Sequence, residues 1–118
     1  MAVDEERDQQ PPWRLEVSGP VRGVAHVAPE GELDLVSAPE LERSVGTLLD
    51  AGAEQIVVHL AGLTFLDSSG LRALLVVEAA ATARGAVLCL LPGGPEVMRV
   101  VEIAGLLGRL PFAERDQP

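Results

Sequence analysis

The chain has 118 residues, 47% of them hydrophobic, which suffices for one domain that buries its own core without disulfide staples. Its lone Cys89 and an N-terminus with no basic start followed by an apolar run lead us to expect a reducing, cytoplasmic setting, and no apolar stretch approaches the ~18 residues of a membrane helix. A formal net charge of -9 and an aromatic content of 3% argue against nucleic acid and anionic membranes as ligands, since both need cationic side chains, and leave proteins as the expected partners.

Residues 1–12, MAVDEERDQQPP, are polar and end in two prolines, so they read as a disordered leader. The folded part starts at Trp13. Residues 13–18 alternate Trp13, Leu15 and Val17 with Arg14, Glu16 and Ser18, the pattern of a strand with one wet face. Ser18-Gly19-Pro20 supplies a turn, and a second strand at about residues 21–28 completes a hairpin.

Ser37-x-x-Glu40 with Pro39 in the first turn has the form of a capping box, and Leu41, Val45, Leu48 and Leu49 recur on one face of the helix that follows. Gly52 ends it. Residues 56–60, IVVHL, form a β-branched run suited to a strand buried on both faces. A second helix begins near Leu71, Leu74 and Leu75 and closes at Gly85, and residues 86–91 give another buried strand. Gly94-Pro95 opens a third helix with Val97, Val100, Val101 and Ala104 on one face, and Leu110-Pro111-Phe112 is expected as a short edge strand. The order β-β-α-β-α-β-α-(β) predicts an α/β fold with a mixed sheet in one domain spanning residues 13–112, followed by a tail at 113–118.

The chain contains no Lys and no phosphate-binding loop, and no G-x-S-x-G surrounds Ser68 or Ser69. His26 and His59 fall inside expected strands, where they read as structural residues; with one cysteine and scattered carboxylates, no metal site, no cofactor and no catalytic residue is expected. Glu32 and Asp34 read as part of a polar loop before the capping box. The stretch LTFLDSSGLRAL, residues 63–74, carries more than a helix start requires. Asp67 is a strong N-cap type and either serine would cap as well, so capping explains one of the three polar residues. The loop leaves the C-terminal end of a buried strand, where open α/β sheets expose their sites. An exposed serine there is a ready phosphoacceptor, and a phosphate would add roughly -1.5 to -2 charge beside Asp67.

Gly31-Glu32-Leu33-Asp34 with Ala38-Pro39-Glu40-Leu41, followed by IVVHL and by Leu63-Thr64-Phe65-Leu66-Asp67-Ser68-Ser69-Gly70-Leu71, resembles the STAS domain of bacterial anti-sigma factor antagonists over about residues 13–112. The resemblance implies a mixed sheet of four or five strands with three or four helices packed mainly on one face. It also implies a non-enzymatic role in partner switching. In that role the unphosphorylated protein binds an anti-sigma factor that is a GHKL-type serine kinase and so frees the sigma factor; phosphorylation ends the binding, and a PP2C-type phosphatase restores it. The family's phosphoacceptor falls on Ser68, with Glu32, Asp34, Asp67, Ser69, Gly70, Leu71 and Arg72 around the partner-binding surface. The alternative within the same resemblance is a scaffold subunit of a lipid-transport or transporter assembly, and the intact Asp-Ser-Ser-Gly favours the first. Two departures stand out: little chain remains for a closing helix after residue 112, and Arg72 replaces a small residue.

Overall fold

In the computed structural model, which describes residues 12–113, strands β1 (Arg14–Val21) and β2 (Val24–Leu33) form an antiparallel hairpin. The tight turn is Arg22-Gly23, both at positive φ, and not the expected Ser18-Gly19-Pro20, which lies inside β1 as an irregularity in the ladder between Ser18 and Val21. The reason is local. Gly19 sits at φ +91°, and a Cβ there would lie 2.6 Å from the Val24 carbonyl oxygen, so glycine lets the strand bend and stay paired where another residue would break it.

β2 runs on past the expected end at Ala28 to Leu33, with Ala25, Val27, Pro29, Gly31 and Leu33 buried at every second position. Glu32 therefore belongs to a strand, not to the polar loop in which it was expected. Helix α1 (Ala38–Asp50) follows and buries Leu41, Val45, Leu48 and Leu49, the face anticipated from their spacing. Strand β3 (Gln55–His59) pairs in parallel with the first half of β2. Strand β4 (Leu63–Leu66), which sequence periodicity did not reveal, pairs in parallel with the second half, through Gly31↔Leu63, Glu32↔Phe65 and Leu33↔Leu66. Helix α2 (Ser68–Ala83), strand β5 (Val87–Leu91) and helix α3 (Pro95–Ile103) complete the described elements. The sheet order is β1-β2-β3-β5, with β4 beside β2. The expected last strand is reduced to a single bridge between Leu90 and Phe112. Of the expected leader and tail, all but Pro12 and Ala113 lie outside the described residues.

Five strands and three helices thus make the mixed α/β architecture expected from the sequence. The core lies on one side of the sheet. Val27, Ile56, Val58, Leu88 and Leu90 meet Leu41 and Val45 of α1 and Leu74 and Val77 of α2, all buried. Each such Leu or Ile withdrawn from water contributes about 1.5–3 kcal/mol, which is what holds α1 and α2 against the strands. Arg84, just past α2, donates to the Leu49 carbonyl at 3.2 Å and meets Asp50 at 3.0 Å, tying the ends of the two helices together. The opposite side of the sheet carries His26, Val57, His59 and Cys89, none of them fully buried.

Candidate functional site

β2 and β4 stop side by side. Because Leu33 and Leu66 face each other in the parallel ladder, Asp34 and Asp67 are each the first residue beyond the end of a strand. This is the C-terminal edge of the strands, where an open α/β sheet presents its sites.

Each aspartate organises the backbone after it. Asp34 Oδ1 accepts from the amides of Val36 at 3.0 Å and Ser37 at 3.1 Å, folding the four residues before α1 into a tight turn. Ser37 is 6% exposed, and its buried hydroxyl needs partners: it donates to the Glu32 carbonyl at 2.7 Å and accepts from the Asp34 amide at 3.0 Å. The anticipated capping box is therefore not formed. Ser37 is already near-helical at φ -91°, ψ -19° with no side-chain cap bond, and Glu40 instead accepts from the Trp13 indole Nε1 at 2.8 Å.

Asp67 does act as the N-cap of α2. Its backbone is extended at φ -118°, ψ -169°, its Oδ1 accepts from the Gly70 amide at 3.0 Å, and its carbonyl accepts the first helical bond from Leu71 at 2.9 Å. Ser68 is thus the first helical residue and is exposed, while Ser69 is half-buried. A helix start leaves its first amides without intrahelical acceptors; with Gly70's taken by Asp67, those of Ser68 and Ser69 remain to face solvent or an anion.

Of the residues expected around the partner surface, the structure gathers Glu32, Asp34, Asp67, Ser68 and Ser69 at this one edge, and Arg72 is exposed one turn along α2 with no ion-pair partner among the described residues. Two of the set turn inward. Gly70 is buried where α2 abuts the end of β2, and Leu71, 7% exposed, belongs to the core and offers no side chain to a partner. Three residues that sequence reasoning passed over stand out instead: Leu35 is 74%, Val36 87% and Phe65 45% exposed. The available signal was an apolar Leu-Val pair placed inside the polar turn between Asp34 and Ser37. Neither histidine reaches Ser68; they bond to each other on the open side of the sheet.

The STAS domain model matches residues 16–115. The chain belongs to the STAS domain family. This STAS domain is 31% identical over 84 residues to BtrV of Bordetella bronchiseptica, which carries the name of an anti-sigma factor antagonist, covering 71% of this chain and 72% of that protein. Among solved structures, an anti-sigma factor antagonist from Mycobacterium paratuberculosis superposes with a TM-score of 0.74 at 26% identity, over 89% of this chain and 88% of the other. The anti-sigma factor antagonist SpoIIAA in its unphosphorylated form follows at 0.71 and 24% identity, over 87% and 90% of the two chains, a likeness of fold. The resemblance read from the two sequence motifs is borne out. Among the described residues no helix is long and apolar enough to cross a membrane.

Proposed function

We propose that this STAS domain is an anti-sigma factor antagonist that works by partner switching, with Ser68 as its phosphoacceptor. The observation that carries the reading is the position of Ser68: an exposed hydroxyl on the first residue of α2, on an edge that also displays Leu35, Val36 and Phe65. Unphosphorylated, this edge docks on an anti-sigma factor of the GHKL serine-kinase type and frees the sigma factor. The apolar trio supplies contact area, and the acidic turn supplies charge complementarity and register. Phosphate on Ser68 sets roughly -1.5 to -2 charge next to Asp67 and inside the contact area, where repulsion and desolvation oppose docking. The helix itself tolerates the anion, because its N-terminus is the favourable end for negative charge. The signal is therefore a change of surface and not of fold, and a PP2C-type phosphatase resets it. The role is non-enzymatic. SpoIIAA, which shares the fold, is known in both unphosphorylated and phosphorylated forms, which supports the reading.

Incubation with the partner kinase and ATP should add one phosphate, located at Ser68 by intact-mass and peptide mass spectrometry. Ser68→Ala should keep kinase binding and lose the phosphate, while Ser68→Asp should weaken binding about tenfold or more. A phosphate at another residue, or none with a kinase that binds, would overturn the assignment.

A further inference from the structure

The open side of the sheet brings together the chain's two histidines, 33 residues apart in sequence. His26 on β2 lies opposite Val57 in the parallel ladder, and His59 is two residues further along β3, so both side chains emerge on the face away from α1 and α2. Their rings stack with centroids 5.2 Å apart and an interplanar angle of 30°, and His26 Nδ1 lies 3.0 Å from His59 Nε2. His26 is exposed and His59 half-buried, at the floor of a shallow concavity that Glu16, Ser18 and Glu30 also line.

The geometry points to a bidentate site for a divalent transition metal, with His26 Nδ1 and His59 Nε2 as its two protein donors. With metal–nitrogen bonds of about 2.0–2.1 Å, two nitrogens at a right angle lie about 2.9 Å apart, against about 3.3–3.4 Å for a tetrahedral pair. The observed 3.0 Å is the N–H···N hydrogen-bond distance of the metal-free pair, and a small turn of the two rings off that line brings both nitrogens to cis positions of a tetragonal or octahedral ion, Cu(II) or Ni(II). Among the described residues no three His, Cys, Asp or Glu side chains form a metal cage, so water completes the coordination. In the metal-free pair one ring donates its N–H to the other. Binding moves that proton to the far nitrogen of the same ring, so both facing lone pairs meet the metal and no net proton is released. The adjacent strands hold the two donors on one face, two residues apart in register, which makes the second Cu–N or Ni–N contact intramolecular.

The test titrates untagged protein with NiCl2 and CuCl2 at about pH 7.5, since neutral imidazole is the metal ligand. Calorimetry should find one Ni(II) per chain, bound about tenfold or more weaker by His26→Gln and by His59→Gln and unchanged by Cys89→Ser. The Cu(II) spin-resonance spectrum should show coupling to two imidazole nitrogens in the wild type and to one in each histidine variant. Should a variant fail to fold by circular dichroism, diethyl pyrocarbonate labelling of the wild type replaces it, with Ni(II) expected to protect both histidines. Equal affinity in wild type and histidine variants, loss of binding in Cys89→Ser, or unprotected histidines would overturn the site.

Discussion

Gly70 and Leu33 meet with no room between them. A Cβ on Gly70 would land on the Leu33 carbonyl oxygen and 2.6 Å from Leu66 Cδ1, so the first turn of α2 rests directly on the end of β2. This contact joins the two sequence motifs into one surface, because it fixes the height at which Ser68 stands beside the Asp34 turn.

Gly70→Ala sets two effects against each other. In an open helix the change would gain up to about 1 kcal/mol in helix propensity, whereas overpacking against backbone costs about 1–3 kcal/mol and cannot be relieved by a rotamer change. Backbone wins over propensity here. Urea denaturation should show a net loss of about 1 kcal/mol, and anti-sigma factor binding should fall by more than the loss of folded protein explains, since the start of α2 shifts. A more stable Gly70→Ala protein would refute the close fit.

Ser37→Ala removes the hydroxyl that satisfies the Asp34 amide and the Glu32 carbonyl. Both groups belong to a turn that is partly sealed from water, and the expected cost is about 1–3 kcal/mol by urea denaturation. Were Ser37 a simple helix cap, Ser37→Asp would substitute well, because aspartate is as good a cap. In this structure a carboxylate would face the carbonyl of Glu32 and the side chain of Asp34, so Ser37→Asp should be less stable than Ser37→Ala.

Leu35→Ser combined with Val36→Ser should leave stability within about 0.5 kcal/mol of the wild type, since both side chains already lie in water. Binding to the anti-sigma factor should nevertheless weaken about tenfold or more, because apolar anchors inside a contact area carry much of its free energy. Surface-plasmon measurements with the anti-sigma factor of the proposed function, read beside a denaturation curve, separate the two effects. Unchanged binding would remove the apolar turn from the docking surface.

Most elements were legible because their patterns are local. The period of Leu41, Val45, Leu48 and Leu49 marks α1, the β-branched run marks β3, and Asp67 announces the start of α2. β4 escaped because four residues are too few to show alternation, and its pairing partner lies some thirty residues away. The capping box fails for a related reason: its pattern reads Ser37 against its neighbours in sequence, while the bonds of Ser37 are set by the turn folded over it. Leu71 follows the motif directly, yet helical geometry turns it into the core and away from a partner. The exposure of Leu35 and Val36 and the meeting of His26 with His59 depend on tertiary packing, which no short-range pattern records.

The turn that displays Leu35 and Val36 sits on a molecule of net charge -9. Two copies that approached through these apolar side chains would bring like charge together, so long-range repulsion keeps the patch from sticking to itself at low ionic strength and steers it toward an oppositely charged surface. Salt shortens the reach of that repulsion to about 8 Å near physiological strength. The concentration of ions around the protein thus tunes how selectively an unoccupied contact surface discriminates between a foreign chain and its own twin.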